Sequence, residues 1–291
     1  MLKIEPVGIS TAKIVYSKNE QSILSLSTHE VLEIFKSCGL LLFQGFGVNS
    51  EQMQAFAEQF SSRFILDRHR PIIDRKKGLV TLVDPDMHYI SPHCENANTP
   101  SFRPDVVWFC CDVPAEEGGE TLFWDGVQIW NEMNEDLRQL FASNKIRYFQ
   151  KFPADLWKRF LGTGATLADV KRMLEGLEVN YQIYKDQSVS LEYFCSAVVK
   201  TKYGNQDAFA NSILTENTEE NDEDAIVTFE DGSLIPVVVI NQIEQLMDRF
   251  TGVIPWQSGD LLMIDNSRFL HGRNSFTDSR RRVFSLLSYL K

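Results

Sequence analysis

The stretch Gly259-Asp260-Leu261-Leu262-Met263-Ile264-Asp265-Asn266 leaves the chain few options. Its apolar run, 261–264, is too short for a helix and is bounded on both sides by turn chemistry, so it reads as a buried strand. His271 follows after one more short segment, and Gly272 behind it lets the backbone pass close to a neighbour. A lone His at a strand end is usually a surface residue or a satisfied core residue. It becomes a candidate ligand only if another part of the chain answers it.

Ser91-Pro92-His93-Cys94-Glu95 supplies the answer. On an extended segment residues i and i+2 project from one face, so His93 and Glu95 point together and Cys94 points the other way. His-x-Glu alone arises readily by chance. Joined by His271 it becomes two imidazoles and a carboxylate, a set that suits Fe(II) with coordination positions left open. A closed structural zinc site would need a fourth protein ligand, and the sequence offers none at suitable spacing. His69 and His88 read as surface residues.

Beyond His271 a polar turn over 274–279 leads into a last strand over 280–290. A hairpin returns that strand beside His271. Alternation puts Arg282, Phe284 and Leu286 on one face and Arg281, Val283 and Leu287 on the other. An arginine buried near a metal calls for an anion, and a carboxylate held by its two-pronged fork fits best. Upstream, Gly118-Gly119 makes a tight turn that delivers the hydroxyl of Thr121, a suitable donor to such a carboxylate.

Together these pieces resemble the Fe(II)/2-oxoglutarate dioxygenases of the taurine dioxygenase type. The matching motifs are His93-x-Glu95, Gly118-Gly119-Glu120-Thr121, Trp256-x-x-Gly259-Asp260, Asp265-Asn266, His271-Gly272-Arg273 and the pair Arg281-Arg282. They run in family order from about residue 39 to the C-terminus. The resemblance implies a mainly β fold with flanking helices, a double-stranded β-helix or jelly roll. It also implies Fe(II) held by His93, Glu95 and His271, with 2-oxoglutarate and O2 as cosubstrates. Counting from the distal His, it assigns the far carboxylate of 2-oxoglutarate to Arg282 together with Thr121.

Glu95 stands where most of the family has Asp, which resembles clavaminate synthase and related amino-acid hydroxylases. A carboxylate there leaves no vacancy for a halide, so hydroxylation, desaturation or epoxidation is expected rather than halogenation. The segment 208–214 with Asp231-Gly232 resembles tailoring hydroxylases of nonribosomal peptide pathways. The implied substrate is an amino acid, free or attached to a carrier or peptide, with Arg103 and Arg273 as candidates for contacting its carboxylate. A sulfonate- or small-acid-degrading dioxygenase would share the same centre. A non-catalytic jelly-roll binding protein would share the fold without turnover.

Composition narrows the alternatives. A formal charge of −11 argues against a nucleic-acid substrate. The five cysteines show no paired spacing, no secretory leader opens the chain and no run reaches membrane-spanning length, so a cytoplasmic enzyme without membrane contact is expected. The 291 residues suffice for a single domain, with a lid-like insertion at about 145–225. Within it, 152–177 is expected to cover the barrel mouth, and the acidic run through 219–224 reads as a solvated loop. Helices are expected after Ser27-Thr28, after Asn49-Ser50, from Gly126 through Leu140, and over 237–250.

Overall fold

Short strands with apolar residues at both alternate positions must be covered on both faces, and the structure, a computed structural model, shows what covers them. It describes residues 3–8, 10–18, 21–67, 70–74, 77–83, 86–216 and 225–291. The acidic run 219–224 and His69 lie outside the described residues.

Among the described residues the major sheet has eight strands. Leu261–Asp265 pairs antiparallel with Leu40–Gln44 on one side and with Val106–Val113 on the other. Val106–Val113 pairs in turn with the last strand, Arg282–Leu290. A second sheet of four strands runs Gly252–Ile254, Thr121–Asp125, Phe269–Arg273, Ile90–His93. The two sheets form the jelly roll.

The alternation read from the sequence assigns each face. Leu40, Leu42, Val107, Leu262, Val283 and Leu287 point between the sheets and meet Phe123 and Phe269 of the second sheet. Their neighbours Leu41, Phe43, Trp108, Met263, Phe284 and Leu286 point outward beneath two helices. Each fully buried side chain of this size contributes roughly 1.5–3 kcal/mol, so both layers are needed to fix the register.

The covering helices begin where the sequence places their caps. Ser27 accepts a bond from the Glu30 amide at the start of Thr28–Cys38, which ends at Gly39 with φ 74°. Asn49 and Gln52 form a reciprocal capping box on Ser50–Phe60. The helix expected from Gly126 through Leu140 is instead two, Gly126–Glu132 and Glu135–Ser143. Met133 is extended, and the Asn134 side chain caps a new start by accepting from the Leu137 amide.

The insertion builds its own four-stranded sheet from Lys145–Phe152, Asn180–Ile183, Val189–Ser196 and Ala225–Phe229. Its helices Ala154–Leu161 and Leu167–Leu174 close a small separate core around Trp157, Val170, Leu174 and Val189. None of 152–177 lines the cavity described below. Thr215 is the contribution of 145–225 to its wall among the described residues. No helix among them is long and apolar enough to cross a membrane.

Candidate metal centre and its cavity

His271 lies in phase with Phe269 on a strand whose inner face points between the sheets, and it is 4% exposed. Its Cα partner on the adjacent strand is His93. The pairing is close because residue 272 is glycine: a Cβ there would stand 2.5 Å from the Ile90 carbonyl oxygen. The two imidazole centroids are 4.4 Å apart.

Glu95 continues the edge strand past His93, and an asparagine fixes its backbone. Asn266 accepts from the Glu95 amide at 2.8 Å and donates to the Glu95 carbonyl at 2.9 Å. A third bond runs from Asn266 to the Pro104 carbonyl at 3.1 Å. The carboxyl therefore faces the imidazoles, with Oε2 3.6 Å from His271 Nε2. One ligand atom from each of His93, Glu95 and His271 lies within 4.8 Å of the others.

The protonation states suit a cation. Burial, reinforced by the neighbouring His271, lowers the His93 pKa to about 4, so the ring is neutral at pH 7. Its Nδ1 lies 2.9 Å from the Ser91 carbonyl, and donation there leaves Nε2 as the free lone pair. Burial alone would raise the Glu95 carboxyl, but the Arg70 guanidinium and then His271 outweigh it and hold the group ionised. A neutral imidazole beside a buried carboxylate fits a divalent metal. Cys94 points away, as the alternation requires: its Sγ approaches the Phe269 carbonyl, and burial raises its pKa to about 11. His88 is 90% exposed.

The three residues open onto a cavity of about 450 Å³. Thr121 lines it from the strand beside His271, and its Oγ1 accepts a 3.0 Å bond from Trp256 Nε1. With that lone pair occupied, the hydroxyl proton is available to an acceptor in the cavity.

Arg282 is not in the cavity. Its side chain is 52% exposed and pairs with Asp112 on the outer face. The adjacent Arg281 lines the cavity, in phase with Val283. It donates from Nε to the Gly119 carbonyl at 2.9 Å and rests where a Gly119 Cβ would be, 2.8 Å from its Cδ and Nε. Burial, then the nearby Arg273 charge, lowers its pKa to about 10. Both guanidiniums lie over the Phe276 ring, at 4.9 and 5.1 Å. The alternation of the last strand already grouped Arg281 with Val283 and Leu287, and that signal should have outranked the residue count from His271.

Arg103 and Arg273 are placed differently from each other. Arg103 lies outside this cavity and donates to the carbonyls of Ala210 (3.1 Å) and Asn266 (2.7 Å). Arg273 lines the cavity on the Thr121 side, opposite Thr121 in the strand register, and donates to the carbonyls of Asp86 and His88. Sequence reasoning passed over Asp67 and Arg70, which also line the cavity. The sequence around them, Arg68-His69-Arg70-Pro71, is basic and has no periodicity that would aim a side chain.

Residues 3–287 match the family model described as taurine catabolism dioxygenase TauD, TfdA family. The dapdiamide synthesis protein DdaC of Enterobacter agglomerans is 26% identical over 281 residues, covering 87% of this chain and 83% of that one. A clavaminate synthase-like protein of Arabidopsis thaliana is 24% identical over 284 residues, covering 89% and 84%. Among solved structures, AAD-2 in complex with Mn(II) and N-oxalylglycine superposes with a TM-score of 0.63 at 14% identity, covering 100% of this chain and 98% of that one.

Proposed function

The chain belongs to the TauD/TfdA family of Fe(II)/2-oxoglutarate-dependent dioxygenases, and from that premise we propose that it is a biosynthetic tailoring oxygenase that hydroxylates an unactivated C–H bond of an amino acid or amino-acid derivative. One observation carries the reading of the site: the cluster of part-buried His93 with buried Glu95 and His271 opens onto a cavity that also holds Thr121 and two adjacent guanidiniums. The largely buried Arg281 guanidinium on that wall suits an anionic ligand.

In this proposal His93, Glu95 and His271 would hold Fe(II) at the wall of the cavity. When bound, the ferrous centre with 2-oxoglutarate and O2 would supply the oxidising power for C–H hydroxylation, one oxygen atom going to the product and the other to succinate, with carbon dioxide released. The chain's own residues orient and neutralise. Arg281 receives the far carboxylate of 2-oxoglutarate on its fork, and Thr121 donates to the same group because Trp256 already occupies its lone pair. Arg273, tied to two backbone carbonyls, adds positive charge on that side rather than reaching for substrate. Phe109, Val83, Ile90 and Val283 form apolar walls that exclude water from the reacting centre.

The similarity to DdaC, a dapdiamide synthesis protein, supports a biosynthetic setting, as does Glu95 in the carboxylate position. Anaerobic titration of the Fe(II)-loaded protein with 2-oxoglutarate tests the centre. The weak visible band of the chelate should appear and saturate, and its absence would refute the reading. Succinate release scored over free, acylated and carrier-bound amino acids, with sulfonates as the competing class, tests the substrate.

A further inference from the structure

His93 is fixed by its pairing with His271, but the paired strand ends at His93 and Glu95 lies two residues past it. The next residue, Asn96, turns the chain away with φ 54°. Sheet register therefore does not aim the Glu95 carboxyl. Two clamps from distant parts of the chain do.

Between them the clamps take all four backbone polar groups of Cys94 and Glu95. Asn266 holds the Glu95 amide and carbonyl. The other clamp is Asn211 with Ser212: the Asn211 carbonyl accepts from the Cys94 amide at 2.9 Å, and Ser212 Oγ donates to the Cys94 carbonyl at 2.9 Å. This clamp belongs to the insertion and is braced inside it. Asn211 Nδ2 donates to the Ala197 carbonyl at 3.0 Å, and the Ser212 amide to the Tyr148 hydroxyl at 3.1 Å. The segment 208–214, conspicuous in the sequence, thus grips the motif that carries two of the three candidate metal ligands.

Arg103 joins the two clamps. One nitrogen, Nη2, donates to the Ala210 carbonyl at 3.1 Å and to the Asn266 carbonyl at 2.7 Å. Ala210 and Asn266 are fully buried, so a carbonyl that loses this charged donor cannot turn to water instead. The two residues after Arg103 complete the grip on Asn266: the Pro104 carbonyl accepts from its Nδ2 at 3.1 Å, and the Asp105 carbonyl accepts from its amide at 2.9 Å. Any rotation of the Asn266 peptide to find a new donor would carry its side chain along, and the Glu95 backbone with it.

We propose that Arg103 is a positioning residue for the Glu95 carboxylate: by holding the Ala210 and Asn266 carbonyls it locks the insertion and the jelly roll around the His-x-Glu motif, and so sets metal affinity through Asn266 rather than by contact with the metal. This rests on the reading of His93, Glu95 and His271 as a metal centre.

The test titrates Mn(II) into the metal-free full chain and reads free Mn(II) by electron paramagnetic resonance, with folding checked by circular dichroism and by the melting temperature in chelator. Outer supports of a metal ligand carry about ten- to a hundredfold in affinity. Arg103→Met keeps the apolar stem and loses the donors, so it should raise the Mn(II) dissociation constant at least tenfold in folded protein. Arg103→Gln should do the same and stands in if the Met variant does not fold, and Arg103→Lys should recover part of the loss. Arg63→Gln controls for lost charge: Arg63 shares a second cavity of about 290 Å³ with Arg103 and lies 4.1 Å over the Tyr289 ring, and its replacement should leave the constant within twofold. Because Arg103 and Asn266 act on one carboxylate, Arg103→Met combined with Asn266→Ala should cost less than the product of the separate factors. The inference is overturned if folded Arg103→Met or Arg103→Gln binds Mn(II) as the wild type does, whatever its melting temperature, if Arg63→Gln loses as much, or if the double variant shows the full product. Wild-type protein that binds neither Mn(II) nor Fe(II) would overturn the metal-centre reading itself, and this inference with it.

Discussion

Replacing Arg281 and Arg282 separately gives a test in which neighbouring residues should behave oppositely. Arg281 faces the cavity, donates to the Gly119 carbonyl and shares the wall with Thr121. Removing one partner of a desolvated, hydrogen-bonded charge pair costs about 2–5 kcal/mol. At about 1.4 kcal/mol per decade, Arg281→Gln should weaken 2-oxoglutarate binding roughly 30-fold or more. Arg281→Lys keeps the charge and loses the fork, so a loss of about tenfold is expected. Arg282 is 52% exposed in a surface pair with Asp112, and such pairs are worth about 0.2–1 kcal/mol after solvent screening. Arg282→Gln should therefore leave the KM for 2-oxoglutarate within about twofold and barely move the melting temperature. The assay is succinate release at saturating substrate, with the chelate titration as an activity-independent check. An unchanged KM in Arg281→Gln, or a large rise in Arg282→Gln, would refute the face assignment of the last strand.

Three further outcomes follow from the geometry. His93→Ala and His271→Ala should each abolish stoichiometric Fe(II) binding, measured as metal content after desalting; full retention in either would remove that imidazole from the centre. Gly272→Ala places a methyl 2.5 Å from the Ile90 carbonyl oxygen, so it should destabilise the protein by about 1–3 kcal/mol in urea unfolding and weaken metal binding by parting the His93 and His271 strands; wild-type values for both would contradict the close approach. In metal-free protein, His93 has a folded pKa of about 4 against an unfolded value near 6.5, so the unfolded state takes up the proton first. Its contribution to stability, up to about 3 kcal/mol, is present above pH 6.5 and is lost as pH falls toward 4. His93→Gln should flatten that part of a stability profile measured in chelator, and an equal slope in both proteins would count against the burial argument.

The sequence made the strands legible because their alternation is strict: 40 and 42 against 41 and 43, or 262 and 264 against 261 and 263, carry two complete apolar faces. The cluster of His93, Glu95 and His271 was legible because a two-residue spacing on an extended segment has a single geometric meaning. Thr121 was reachable through the Gly-Gly turn, since φ values of 73° and 69° at Gly118 and Gly119 are ones other residues resist. Arg282 was misplaced because a count from His271 overlooks the alternation of the last strand, which turns Arg281 inward with Val283 and leaves Arg282 52% exposed beside Asp112. Asp67 and Arg70 sit on an aperiodic segment, where residue identity alone does not fix direction. The break at Met133 depended on a cap at Asn134 inside an otherwise continuous apolar pattern.

The Asn266 clamp on Glu95 joins residues 171 positions apart. Such a join forms only after most of the chain has been threaded, because closing so long a loop costs entropy that local contacts cannot recover early. A partly folded molecule therefore has no complete ferrous site, and iron discriminates the finished molecule from every precursor. Free ferrous ion at a hundredfold excess over its dissociation constant would deepen the native well by about 2.7 kcal/mol. Cellular iron supply thus becomes a determinant of how much of this enzyme survives proteolysis, independently of how fast it turns over.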